Sequence, residues 1–444
     1  MSVRLPIKTA LEAYAGAAPA RFHMPGHKGF LSALDVTEVT GTDDLHSPSG
    51  AILESERLCA VALGARDAFF LVNGSTAGNL AMLYLAGMGK RILLGRNCHK
   101  SVVNGLALMG QETVPLFPDE DGVFDPANVD ELLEKTPCSA VFITSPTYSG
   151  AVSPIAEIAE AAHRHGAKLL VDCAHGAHFA YSNALPPVPK EADAWCVSCH
   201  KTLEALTQSA VLLTGDAAFG RDEVQRALNL FQSTSPSYEL MLSIERSVLA
   251  PRDWDAHIQR IDRVRRELER IENVTLERGS AVRDVTRLNI SFRGMNGCRL
   301  ASELEARGIF PEMADSACVT LITSPADPDE WYERLYSALR GIRPDGSAID
   351  GFPAGSYERI AGEAALPVRE AVTAPRELVP LGCACGRIAA GAVGCYPPGV
   401  AVLFPGERIG TGAMELLMNE SRAGARLFGT EGGLIPVVRD EKDE

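Results

Sequence analysis

No run of ~20 apolar residues occurs in the 444-residue chain, so no segment is expected to span a membrane. The best candidate, 389–404, is broken by Pro397 and Pro398. The opening Met1-Ser2-Val3-Arg4-Leu5-Pro6 has no uninterrupted apolar core of a secretion signal. A basic excess is also missing: Lys plus Arg number 42 against 57 Asp plus Glu, a net charge of −15. Nucleic acid is therefore not an expected partner, and small cations are the ligands such a field favours. Aromatics are scarce at 6%, yet apolar residues make up 46% and charged residues 22%, which excludes a largely disordered chain. The 11 cysteines are an odd number, so at least one stays outside any intramolecular disulfide. Spread through apolar runs such as Ala194-Trp195-Cys196-Val197-Ser198-Cys199, they read as reduced thiols of a cytoplasmic protein.

At roughly 150 residues per domain, two or three domains are expected. Residues 1–50, rich in Gly, Pro and His, read as an irregular N-terminal arm. Over 51–275 short apolar runs (69–72, 92–94, 140–144, 168–171, 194–198 and 210–213) alternate with helical patterns. Such runs suit strands covered on both faces, and strand–helix–strand repetition predicts an α/β domain with a mostly parallel central sheet. Asp125-Pro126 and Ser153-Pro154 each supply an N-cap and a Pro for the first helical position, and Gly166 closes the second helix. The charged stretch 238–272 reads as one solvated helix leading to a smaller C-terminal α+β domain over 276–444, with strands at 289–292 and 319–322.

Sheets of this kind bind ligands at the carboxyl ends of their strands. After the run 69–72 comes Asn73-Gly74-Ser75-Thr76-Ala77-Gly78-Asn79, a turn entering a helix whose N–H groups and hydroxyls suit a phosphate. After 92–94 comes Cys98-His99-Lys100-Ser101, and after 140–144 the Pro turn Ser145-Pro146-Thr147-Tyr148-Ser149-Gly150. Asp172-Cys173-Ala174-His175 follows the next run, and Ser198-Cys199-His200-Lys201 the one after. A phosphate cradle, a ring-stacking His, a strand-end Asp and a Lys 29 positions later make the set that pyridoxal phosphate needs. The lysine amine binds the aldehyde, and the Asp keeps the pyridine nitrogen protonated. Cys196-x-x-Cys199-His200 also fits the c-type haem pattern, and Cys196 and Cys199 could be paired with Cys383 and Cys385 as a zinc site. The lack of an export signal, the strand setting and the Cys-x-Cys spacing weigh against both, and no metal is expected.

The sequence resembles the ornithine/lysine/arginine decarboxylase family in its short bacterial form. The resemblance rests on Arg21-Phe22-His23-Met24-Pro25-Gly26-His27-Lys28-Gly29, Asp43-Asp44-Leu45-His46-Ser47-Pro48-Ser49-Gly50, the strand-end motifs above, Ser233-Thr234-Ser235-Pro236-Ser237-Tyr238 and Tyr396-Pro397-Pro398-Gly399. It implies fold type I and pyridoxal phosphate as cofactor. Lys201 would be the Schiff-base lysine, Asp172 the pyridinium partner and His99 the stacking ring. His175 would lie near the ring oxygen or the substrate carboxylate. Gly74, Ser75, Thr76, Ser198 and His200 would serve the phosphate, joined by Thr234 of a partner copy in a homodimer with shared sites. Two positions depart from the family: Cys173, where Glu is frequent, and Gly391, where an acid is frequent.

By this resemblance the substrate is a basic amino acid, arginine or lysine before ornithine, used for polyamine synthesis or acid resistance. Its far cation needs carboxylates, with Asp43, Asp44, Glu54, Glu312 and Asp315 as candidates. One alternative is an aminotransferase or aldol-type lyase, with Arg287 clamping the substrate carboxylate. Another is a non-catalytic cofactor-binding regulator.

Overall fold

All six apolar runs are strands of one seven-stranded sheet. The computed structural model describes residues 3–216, 219–277, 281–347, 360–397 and 399–439, so Pro398 lies outside the described residues. Across the sheet the strands are Asp67–Leu71, Ala210–Thr214, Ala194–Ser198, Lys168–Asp172, Ala140–Thr144, Arg91–Gly95 and Glu112–Leu116. Ala210–Thr214 is antiparallel to both neighbours and the remaining pairs are parallel, so six strands run one way. The seventh strand, Glu112–Leu116, escaped the sequence pattern for a physical reason. It is a half-exposed edge strand, where an apolar run is not needed and Pro115 is tolerated.

The register pairs Thr144 with Asp172 and Asp172 with Cys196. The chain therefore leaves these strands at one edge, together with the turn after Leu71. Apolar clusters fill both faces of the sheet, Phe70, Val141 and Val171 on one side and Phe69, Phe142 and Leu170 on the other. Cys199 belongs to the first cluster and Cys196 to the second, whereas Cys383 and Cys385 are exposed, so the proposed zinc pairing has no common face. No helix among the described residues is long and apolar enough to cross a membrane.

The punctuation residues acted unequally. Asp125 caps the helix Pro126–Lys135, accepting from Ala127 N–H at 2.9 Å. Ser153 does not cap the helix Ile155–Arg164; its hydroxyl accepts from Phe124 N–H instead, and Pro154 holds the cap position. The stretch 238–272 is two helices, Tyr238–Leu249 and Trp254–Leu268. Pro251 lacks the N–H a continuous helix needs, and Asp253 restarts the chain by accepting from Ala256 N–H. The arm is not wholly irregular: Pro6–Gly16 is a helix with Pro at its first turn, burying Ile7 and Leu11.

Residues 276–444 build two apolar clusters rather than one. The first joins the helix Trp254–Leu268 to the four-stranded antiparallel sheet of Met313–Ala314, Val319–Ile322, Arg287–Phe292 and Val274–Leu276. The 275/276 boundary thus falls inside a strand. The second cluster gathers Ala384, Val402, Leu416 and Ile435. It is tied back to the large sheet by a buried ion pair, Arg96 Nη1 to Glu407 Oε1 at 2.8 Å.

Candidate active site

Lys201 lies in the single helical turn Cys199–Thr202, which follows the strand Ala194–Ser198 directly. Asp172 is the last residue of its strand and 3% exposed. The two face a small cleft, lined also by Ser75, His99, Thr147, Tyr148 and His175. The strand ends thus gather Lys201, Asp172, His99, His175 and Ser75 around one opening.

Each side chain has a local reason for its pose. Asp172 accepts from Asn79 Nδ2 at 2.8 Å and from Ala174 N–H at 3.1 Å. Asn79 comes from the helix Gly74–Leu85, which lies close on the sheet because Gly78 has no side chain. A Cβ there would stand 2.5 Å from Cys196 Sγ. His99 precedes the helix Lys100–Met109 and caps it, its Nδ1 accepting from Ser101 N–H at 3.2 Å. Gly399, at φ +82°, packs against the ring; a Cβ would be 3.1 Å from His99 Cδ2. Burial pushes His99 down to about 4, with Lys201 and Lys100 adding to the effect against Asp172. Burial likewise lowers Lys201, while Asp172 and Glu312 oppose it. Lys201 Nζ is 3.0 Å from His175 Nε2, and the Tyr148 ring stands edge-on to His175 with centroids 4.4 Å apart.

Other expected residues sit outside the cleft lining. Gly74, at φ +70°, opens the turn, and Thr76 is exposed on the same helix end. Ser198 is fully buried, and its Oγ has no hydrogen-bond partner among the described residues. His200 bonds through Nδ1 to the Ser209 carbonyl at 3.0 Å. Thr234 is exposed, next to Ser233, whose N–H donates to Asn73 Oδ1 at the mouth of the cradle. Cys173 lies in the apolar core, where a carboxylate would be buried. Gly391 is crowded, since a Cβ would meet Pro436 Cγ at 3.1 Å.

The arm carboxylates require correction. Asp43 accepts from Ser49, Gly50 and Ile52 N–H at 2.8–3.0 Å, so it caps the helix Ala51–Ala62 instead of awaiting a substrate. Burial alone would raise its carboxyl, but these backbone donors win and hold it below the ordinary range. Asp44 closes a tight turn on His46 N–H at 2.8 Å, and Glu54 pairs with Arg4. Asp315 accepts from Ala317 and Cys318 N–H, both at 2.8 Å. Of the five candidates Glu312 alone reaches a cleft-lining residue, accepting from Tyr148 Oη at 2.5 Å. Arg287, the suggested carboxylate clamp, is buried behind the cleft and bonded to His175. Asn79, Ser101 and Tyr148 were not assigned roles from sequence. Tyr148 was within reach of the strand-end argument, since it stands on the turn after the strand Ala140–Thr144.

The family model described as Orn/Lys/Arg decarboxylase, major domain, matches residues 5–290, and that of the C-terminal domain matches 357–431. The chain belongs to the Orn/Lys/Arg decarboxylase family. It is 34% identical over 445 residues to the uncharacterised protein YaaO of Bacillus subtilis, covering 91% of this chain and 92% of that one. It is 29% identical to the arginine decarboxylase of Bacillus subtilis, covering 99% and 98%. The constitutive lysine decarboxylase of E. coli shares the fold at a TM-score of 0.81 and 18% identity, over 98% of this chain and 82% of that one. As a member of this decarboxylase family the chain is an amino-acid decarboxylase, and the family implies pyridoxal phosphate as its cofactor.

The residues present fit that cofactor. Asp172 is a buried carboxylate met by two neutral N–H donors, an arrangement completed by a cationic ring nitrogen. The orphaned hydroxyls of Ser198 and Thr144 supply polar atoms that the fold leaves unused. The helix end at Gly74–Ser75 suits an anion.

Proposed function

We propose that this decarboxylase acts on a basic amino acid, arginine ahead of lysine and ornithine, releasing CO₂ and the corresponding amine. The observation that carries this reading is the cleft on which Lys201, Asp172 and His99 converge, with the Glu312 carboxylate bonded to its lining residue Tyr148. The near-complete alignment with proteins named arginine decarboxylase supports arginine first. Pyridoxal phosphate, when bound, supplies an aldehyde that links to amines and a protonated ring that takes up the electron pair left by CO₂.

In this reading Lys201 Nζ would hold the cofactor through its amine and would return a proton to the substrate's Cα. Asp172 would pair with the cofactor's ring nitrogen, and the His99 ring, fixed between Ser101 and Gly399, would pack against the cofactor. The backbone at Gly74–Ser75, with Thr76, Ser198 and His200, serves the phosphate. Glu312 attracts the substrate's far cation; the carboxylates of Asp43 and Asp44 are already spoken for. The chain works as a homodimer to which Thr234 of a partner copy adds a phosphate contact. The aminotransferase alternative loses its support because Arg287 is engaged with His175.

Two experiments test this. Mass-spectrometric assay of all twenty amino acids is expected to give agmatine from arginine with the highest kcat/KM. Preference for an acidic or aromatic amino acid would refute the basic-substrate reading. Borohydride reduction and peptide mapping are expected to place the cofactor on Lys201. A label on Lys100, Lys168 or Lys190 would refute the assignment.

A further inference from the structure

Behind the cleft, a buried carboxylate and a buried guanidinium form a chain that ends on Lys201. Asp284 accepts from Thr286 N–H at 2.9 Å and from Thr286 Oγ1 at 2.6 Å. Its Oδ2 lies 3.1 Å from His178 Nε2 and 3.9 Å from Arg287 Nε. Arg287 Nη2 donates to His175 Nδ1 at 3.1 Å, and His175 Nε2 stands 3.0 Å from Lys201 Nζ. None of this is needed to shape the cleft wall, since neither Asp284 nor Arg287 lines it.

A guanidinium has N–H donors and no acceptor, so His175 Nδ1 must accept from Arg287. A neutral imidazole carries one ring proton, which is thereby placed on Nε2. That Nε2–H points at Lys201 Nζ, which accepts it only through a lone pair, as a neutral amine. We infer that Arg287 is a positioning residue that locks His175 in its Nε2–H tautomer and so holds Lys201 as the neutral amine. The inference rests on the reading of Lys201 as the cofactor lysine. Only the neutral amine attacks an aldehyde: its lone pair forms the C–N bond, and the aldehyde oxygen leaves as water with the two amine protons.

The other charged or titratable groups facing Lys201 among the described residues are Asp172, Glu312, His99, His200, Cys196 and Tyr148. Asp172 and Glu312 favour the ammonium, so burial and the His175–Arg287 pair work against them. Burial also takes His175 well below its ordinary range, with Lys201 and Arg287 adding to it, which keeps the ring neutral.

The test is competitive labelling of the cofactor-free full-length chain with an amine-specific acylating reagent from pH 6 to 10, reading Lys201 by mass spectrometry. Arg287→Gln keeps an N–H donor but no charge, and Arg287→Met keeps neither. A tautomer lock predicts that Arg287→Gln keeps most of the wild-type reactivity. Arg287→Met is predicted to raise the Lys201 midpoint by about one pH unit, on the order of tenfold slower labelling below it. Equal shifts in both variants would reduce Arg287 to a mere charge, and no shift in either would remove its role; each overturns the inference. Nitrogen-15 histidine spectra of the wild-type chain, with the His175 signal assigned by its loss in His175→Gln, need no folded Arg287 variant. A protonated Nε2 and a bare Nδ1 are expected, and the opposite tautomer or an imidazolium would refute the lock. Borohydride mapping to a lysine other than Lys201 would instead refute the reading beneath it.

Discussion

Asp172 owes its importance to what does not touch it. Both of its identified donors, Asn79 and Ala174, are neutral, and in the proposed site its buried carboxylate would meet the cationic ring nitrogen. Asp172→Asn is expected to retain the cofactor, read by its absorbance, while turnover falls on the order of 10²-fold or more. Near wild-type turnover would reduce Asp172 to a structural residue. His99 gives a prediction in pH. Between 6.5 and about 4 the unfolded chain binds a proton that folded His99 refuses, so stability falls as pH drops through this window and levels off below it for this group. The loss is at most on the order of 3 kcal/mol. His257, also pushed down to about 4 by burial and Arg260, shares the slope. In the cofactor-free chain His99→Phe should therefore lose less Tm between pH 7 and pH 4.5 than wild type. Parallel Tm curves would contradict that assignment.

Between residue and fold stands the helix end, where the same residue types serve opposite purposes. Asp43 and Asp125 spend their oxygens on backbone N–H groups, whereas Asp172 closes a strand and faces the cleft. Asp43 also sits at φ +70°, a left-handed conformation that Asp tolerates better than most side chains. Asp43→Ala is expected to cost about 1–2 kcal/mol of stability and to leave KM for the basic amino acid unchanged. Thermal denaturation beside steady-state kinetics checks this. A raised KM at unchanged Tm would return Asp43 to the substrate pocket. The helix Gly74–Leu85 carries the opposite lesson: its glycine at 78 is set by the approach to Cys196, a contact across the sheet and not a local turn.

At the scale of the whole molecule the arm is conspicuous. Phe22, Phe30 and Leu31 are 96%, 91% and 79% exposed within a segment that carries a family motif. Such a cluster of large apolar side chains is the kind of surface that association covers. In the proposed homodimer this segment is expected to pack on the second copy. Phe22→Ser, Phe30→Ser and Leu31→Ser together are expected to convert dimer to monomer in light scattering, with loss of activity from a site that both copies complete. A dimer that survives all three changes would remove the arm from the interface.

The sequence alone determined the parallel sheet and the positions of Lys201, Asp172 and His99. Buried strands are written as apolar runs, and the residue after each run falls at the functional edge whatever the loops do. Fold type and family followed from motifs that keep this order. It was silent on the half-exposed strand Glu112–Leu116, because an edge needs no apolar signature. It misplaced Asp43 and Asp44 because a carboxylate's free lone pairs are not written in its neighbours; Asp43 finds its donors six to nine positions away, from Ser49 just before the next helix to Ile52 in its first turn. The contact of Arg287 with His175 spans 112 residues, and Glu312 meets Tyr148 across 164. Only the placement of residues 287 and 312 beside the strand-end loops of the large sheet brings those pairs within hydrogen-bond distance. Tertiary structure thus decided which carboxylates are taken up by backbone donors and which side chains meet His175.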